Sequence, residues 1–410
     1  MVVALEELDH VEFLPEPEDS RILSAIDPAA VGFQGAWRAE VTGWAPLQAA
    51  PIQRRRRRRA AVTNGLIFAI LGVALFAAWN SGFLLVELSL PDSKWANEQV
   101  QLTDAAEDGL SGVGVRVCIV DTGIDLTHDA LSGVEVTFKD LRGNSDSPVD
   151  YGLIAHGTLM AGILVAKEHQ IGAAPGISLG IAAALGTDEN GENSGDESTV
   201  AQAIRWCHDT FEADIISLSL GGEQNLNAQR EGATASAARR AVDAGIFVVA
   251  AAGNDGGPGD DGLVSVPANI PRVITVGAST MDSQVWGNSS SGSQVFENGE
   301  QRNHPHQKPE VVAPGVGIIS TGNNNAWFSS SGTSDATVFV TAALALLLEA
   351  HPQYKPQPDS NGACIDAVKM ALMNTVTPLH EEGVHDDSSG YGELQALDWI
   401  KEVGSTAPDC

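Results

Sequence analysis

Five short apolar runs, at residues 115–120, 179–185, 215–220, 246–252 and 273–276, recur along the chain and set the terms for any fold it adopts. Each is too short for a core helix and shows no polar face, the pattern of a strand buried on both sides. Between them lie stretches with helical patterning, such as 197–208 and 233–244. Strand and helix in alternation predict a three-layer α/β fold with a mostly parallel central sheet and helices on both faces. The chain holds 43 glycines and only 5% aromatic residues, so close packing of small side chains is expected to build that core.

A different kind of segment precedes this region. Residues 60–86 carry no charge and follow an unbroken arginine run, Arg54 to Arg59. As a helix the segment would be about 40 Å long, against a bilayer hydrocarbon core of about 30 Å. The arginines predict a cytoplasmic N-terminus, and Trp79 falls where an interfacial aromatic is expected. A buried core helix would rarely follow six arginines, and a cleavable signal peptide would start nearer the N-terminus. An arginine-pair export signal fits part of the pattern. The expected organisation is a cytoplasmic tail over 1–59, an uncleaved single-pass signal anchor over 60–86, and an extracytoplasmic domain over 91–410.

The net charge is -30, from 53 acidic against 23 basic residues, which excludes nucleic acid as a partner of the whole protein. Four cysteines, Cys118, Cys207, Cys364 and Cys410, allow three full pairings, and none has metal-site spacing. Cys118 lies in an apolar run where a free buried thiol is the default. A bridge from Cys364 to Cys410 would tie down the C-terminus in an oxidising compartment.

Three short motifs carry chemistry. Asp121-Thr122-Gly123 ends a predicted strand, where a carboxylate can be held rigidly at the sheet edge. His156-Gly157-Thr158 opens a small-residue helix, and Gly332-Thr333-Ser334 opens a strongly apolar one. A serine at a helix N-terminus sits beside free backbone N–H groups and a positive dipole end, both of which favour an oxyanion. Singly, each motif has an ordinary reading: a turn acid, a core histidine, an N-cap serine.

Together, in the order Asp121, His156, Ser334, they resemble the subtilisin-like serine endopeptidases. The runs Ser217-Leu218-Ser219-Leu220-Gly221-Gly222, Ala252-Gly253-Asn254 and Pro309-Glu310-Val311-Val312-Ala313-Pro314-Gly315 add to the resemblance, which spans roughly residues 95–400. It implies that Ser334 attacks a peptide carbonyl, His156 moves the proton and Asp121 fixes the imidazole. It also implies an oxyanion hole from the Asn254 amide and the Ser334 N–H. Ser219, Leu220, Gly221, Gly222, Ala252 and Gly253 would wall the pocket for the residue before the cut. The acidic loop 188–197 falls where relatives pair with substrate, which suggests a preference for basic side chains or else a merely solvated surface.

Departures from the family cluster near the nucleophile. Asp335 stands where methionine is usual, Val338 where proline is usual, and Phe339 and Leu159 replace common histidines. A carboxylate at 335 is expected to raise the His156 pKa. The chemistry needs no cofactor. Structural calcium is an open expectation without named ligands, because Ala130 occupies the position where relatives place a carboxylate and Asp129 is one residue early. Gly176-Ile177-Ser178-Leu179-Gly180 matches a nucleophile-elbow pattern but enters a strand and reads as a turn. His128, His304 and His306 read as surface residues. The expected function is a membrane-anchored serine endopeptidase acting on proteins or peptides. Its rivals are a catalytically silent scaffold of the same fold and an esterase using the same serine.

Overall fold

The computed structural model describes residues 61–73, 92–167, 172–222, 231–257, 262–292, 301–357 and 362–405. The chain separates into two units, Met1–Leu88 and Ser89–Cys410. In the first unit the described part is an apolar helix, Ala61–Val73, and every one of its residues is exposed. The expected tail over 1–59 and the rest of the uncharged stretch, residue 60 and residues 74–86, lie outside the described residues.

The second unit begins with two short helices, α1 (Lys94–Gln99) and α2 (Leu102–Glu107), before strand β1 (Arg116–Asp121). Strand β2 (Val136–Asp140), helix α3 (His156–Val165) and strand β3 (Ser178–Ala183) follow. A small hairpin, β4 (Gly186–Thr187) and β5 (Asn193–Ser194), leads to α4 (Glu197–Asp209), β6 (Ile215–Leu218), α5 (Ala233–Asp243) and β7 (Phe247–Ala251). Then come β8 (Ile274–Ser279), β9 (Val311–Pro314) and a second hairpin of β10 (Val316–Thr321) and β11 (Trp327–Ser331). The chain closes with α6 (Thr333–Ala350), α7 (Ala363–Thr375) and α8 (Ala396–Ser405).

Seven strands form the main sheet in the order β2-β3-β1-β6-β7-β8-β9, and all its pairings are parallel. All five expected strands are present. Side-chain parity assigns the faces. Cys118 on β1 is bonded to Cys207 on α4, so α4 covers that face. Its neighbour Ile119 pairs in register with Ser217 of β6, and Ser217 Oγ accepts a hydrogen bond from Thr341 Oγ1 of α6 at 3.0 Å. Helix α6 therefore covers the opposite face. Helix α5 packs on α4, and α3 packs on α6, which completes the three layers.

Helix α6 is the core helix. Among the described residues it alone has the length and composition to cross a bilayer, yet 83% of its apolar window is buried within the domain. The elbow-like run at Gly176 is indeed a turn that enters β3 at Ser178.

The Cys118–Cys207 disulfide overturns the expected free thiol. Strand β1 and helix α4 bring the two Cα atoms to 5.8 Å, across a sequence separation of 89 residues. The partner expected for Cys364, Cys410, lies outside the described residues.

A buried charge cluster was not foreseen. Lys308, Glu310 and Lys369 are each fully buried, and both ammonium groups bond Glu310 Oε1, at 2.9 and 2.6 Å. The other carboxylate oxygen accepts the Thr275 N–H, while Lys308 and Lys369 donate to the Val273 and Pro271 carbonyls. With both carboxylate oxygens and both ammonium groups bonded, the cluster clamps β8, β9 and α7, and losing one partner from such a cluster costs about 3–5 kcal/mol.

The disulfide yields a direct expectation. Replacing Cys118 and Cys207 together with alanine should lower the unfolding free energy of the domain by about 2–5 kcal/mol. Urea denaturation of oxidised wild type against the variant checks it, and coincident midpoints would contradict it.

Candidate active site

In a parallel sheet every strand ends at the same edge, and the helices that follow are free to start there. The topology places the switch in strand order between β1 and β6, where a crevice opens beyond the strand C-termini. Asp121 is the last residue of β1, Ser219 follows β6, and Gly253 and Asn254 follow β7. His156 is the first residue of α3 and Ser334 the second of α6.

The start of α3 is held by side chains that satisfy its free N–H groups. Thr122 Oγ1 accepts from the Gly157 N–H at 2.8 Å, and Asp150 Oδ2 accepts from the Thr158 N–H and hydroxyl at 2.9 and 2.7 Å. Gly157 is required for close approach, since a Cβ there would lie 2.2 Å from the Gly123 carbonyl oxygen. His156 Nδ1 then meets both oxygens of Asp121, at 2.7 and 2.9 Å. Asp121 is fully buried, whereas the His156 side chain keeps 17% exposure. A ring nitrogen that donates to Asp121 leaves Nε2 as the acceptor.

The start of α6 is tied to the β7 turn. Asn254 Oδ1 accepts from both the N–H and the hydroxyl of Thr333, each at 3.0 Å, so the Asn254 amide donors are not needed there. Gly253 adopts φ +114°, and a Cβ on it would lie 2.4 Å from Ser265 Oγ, so only glycine fits. Ser334 Oγ donates to the Ser219 carbonyl at 3.2 Å, and Ser219 Oγ donates back to the Ser334 carbonyl at 3.0 Å. As an N–H of the first turn, that of Ser334 has no intrahelical acceptor.

These residues open on a cleft of about 1340 Å³. His156, Asn254 and Ser334 line it, with Ser219, Leu220, Gly221, Gly222 and Gly253. Ala252 does not reach it: this residue is fully buried, and its N–H and carbonyl bond Val276 and Ser265, while Ala251 lines the cleft. Of the acidic loop, Glu192 and Glu197 line the cleft, but Asp188 accepts the Asn190 and Glu192 N–H groups of its own turn. Glu197 accepts from the Thr234 N–H at the start of α5, which leaves Glu192 as the acid of this loop that faces the cleft without such a task.

The sequence profile of the Subtilase family matches residues 112–392. The chain belongs to the subtilase family. It is 33% identical over 265 residues to subtilisin E of Bacillus subtilis (strain 168), covering 62% of this chain and 61% of that one. It is 34% identical over 247 residues to subtilisin DY of Bacillus licheniformis, covering 60% and 80%. The solved structure of the prenylagaramide maturation protease PagA shares the fold, with TM-score 0.57, 24% identity, and coverage of 75% of this chain and 99% of that one.

This subtilase has a fully buried carboxylate next to the serine. Asp335 Oδ2 accepts from Ser330 Oγ at 2.8 Å, and Oδ1 has no hydrogen-bond partner. Burial pushes Asp335 up to about 7, against the lowering effects of the Ser330 hydroxyl and of His156. Burial also pulls His156 down, but Asp121 foremost, then Asp335 and Asp150, more than offset it and push the imidazole up to about 9. The expected influence of residue 335 on the histidine is present. Asp150 itself is raised by burial, and nothing in its sequence context had marked it.

Among the described residues no group of three His, Cys, Asp or Glu side chains is arranged to hold a metal ion. Asp129, the acid nearest the position where relatives place a ligand, accepts from Asn325 Nδ2 at 2.8 Å. His128, expected at the surface, is buried: it packs edge-on against Trp327 and accepts the Ala130 N–H at 3.1 Å. His304 is exposed and His306 half-buried.

Asp335 links stability to pH. Its folded pKa of about 7 exceeds the ordinary 3.8, so its favourable contribution is complete below about pH 3.8 and is lost as pH rises through 7. Asp335→Asn should therefore raise Tm by a few degrees at pH 8 and leave it nearly unchanged at pH 4. Differential scanning calorimetry at the two pH values measures this, and an equal shift at both would refute the linkage.

Proposed function

We propose that this chain is a membrane-anchored serine endopeptidase in which Asp121, His156 and Ser334 form the catalytic triad. The observation that carries the reading is His156 bonded through Nδ1 to a fully buried Asp121 while its ring lines one cleft with Ser334 and Asn254. Substrate binding would turn the Ser334 hydroxyl from the Ser219 carbonyl to His156 Nε2. His156 then takes the proton as Ser334 Oγ attacks the peptide carbonyl, and returns it to the leaving amine. Asp121 keeps the imidazole in the required tautomer and offsets the charge it gains. The oxyanion would be held by the Ser334 N–H and the Asn254 amide donors, which Thr333 leaves unused. Water attacks the resulting acyl-enzyme by the same route and frees Ser334.

A silent scaffold is the second reading, favoured by one observation: Ser334 Oγ bonds Ser219 and not His156. A fluorophosphonate probe together with a protein substrate separates the readings. Wild type should label and cleave casein, and Ser334→Ala should do neither. Absence of labelling in wild type would establish the scaffold, and turnover of esters without peptides would establish an esterase.

Residues 1–59 are proposed as a cytoplasmic tail, 60–86 as a signal anchor, and 91–410 as the extracytoplasmic peptidase domain. Three features support this: the arginine run at 54–59, the fully exposed apolar helix Ala61–Val73, and a disulfide suited to an oxidising compartment. The full chain should remain in the membrane pellet after alkaline carbonate extraction, and a chain lacking 60–86 should not. Release of the full chain into the supernatant would contradict the anchor.

A further inference from the structure

The N-termini of α3 and α6 converge, because the two helices pack against each other and begin at the same sheet edge. One delivers His156, the other Ser334 followed by Asp335. Asp335 is fully buried, accepts a side-chain hydrogen bond from Ser330 on β11, and has a second oxygen with no partner. Its carboxylate is in no salt bridge with Lys or Arg among the described residues, and the charge of His156 lowers its pKa against the effect of burial. A buried carboxylate left in that state is costly unless it faces a positive charge at the moment that matters.

We propose that Asp335 is a positioning residue of the reaction, a second carboxylate that acts through His156 from the nucleophile's own helix, and that it moves upward the pH range in which His156 works as a base. The inference rests on the triad reading above. In the resting site an ionised Asp335 adds to the larger effect of Asp121 in favouring imidazolium, so His156 keeps its proton to a higher pH. Once Ser334 has given up its proton, the same charge favours the imidazolium that forms. Asp335 therefore trades activity near neutrality for stabilisation of the charged state at higher pH. The charges that act on His156 are Asp121 from β1, Asp335 from α6 and Asp150 from the segment before α3; the groups that favour ionised Asp335 are the Ser330 hydroxyl on β11, His156 and the N–H of Asp335 itself. A purely structural acid in the first turn of a helix would favour the helix dipole and leave the base unaffected.

The pH dependence of fluorophosphonate labelling on the full chain tests this. Asp335→Asn keeps the shape and the Ser330 contact but removes the charge. Its acid limb should move down by about one pH unit, the low end of what a neighbouring opposite charge does. Its alkaline plateau should fall below that of wild type. Ser330→Ala removes the hydrogen bond that favours ionised Asp335 and should move the limb in the same direction by less. Should Asp335→Asn fail to fold, Ser330→Ala and a histidine NMR titration of His156 decide the matter. A limb unmoved in the folded variants, with wild type labelling normally, overturns this inference and leaves the triad standing. Failure of wild type to label overturns both.

Discussion

An all-parallel sheet covered on both faces sends its strand C-termini and its helix N-termini to one edge, and the rest of this site depends on that constraint. Asp121 arrives on a strand end, His156 and Ser334 arrive on helix starts, and Asn254 arrives on the turn after β7. The edge gathers free N–H groups from α3 and α6, which need acceptors. Thr122, Asp150 and Asn254 supply them, so the side chains that finish the helices also fix where His156 and Ser334 sit.

The parts legible in the sequence are those with a period or a fixed local geometry. The five apolar runs announced strands because burial on both faces leaves no polar alternation to misread. The helices at His156 and Ser334 were legible because small residues follow each motif in a run that must pack closely. What escaped depended on partners distant in sequence. Cys118 looked like a lone core thiol until α4 brought Cys207 over the same face, and Ala252 looked like a pocket wall until its main chain was seen to be occupied by β8 and Ser265. Asp150 and the pair Lys308 and Lys369 carry no local signal, since burial of a charge is decided by the whole fold.

Two solutions to buried charge coexist in the domain. Around Glu310 the two lysines and the Thr275 N–H complete the coordination, and the cluster acts as a clamp between sheet and helix. Around Asp335 the coordination is left incomplete, with one hydroxyl and an orphan oxygen. The first arrangement spends charge on rigidity. The second keeps a charge available to a neighbour that itself changes protonation, and it does so where subtilases usually place an uncharged methionine.

The Ser334 hydroxyl has a single proton and two candidate acceptors, the Ser219 carbonyl and His156 Nε2. While Ser219 holds it, the hydroxyl cannot be activated. The Ser219 carbonyl lies on the wall of the cleft, where the N–H groups of an extended peptide would compete for it. On the triad reading, a peptide N–H that takes that carbonyl would free the Ser334 hydroxyl to turn toward His156. Main-chain binding and the freedom of the serine hydroxyl would then share a single carbonyl oxygen.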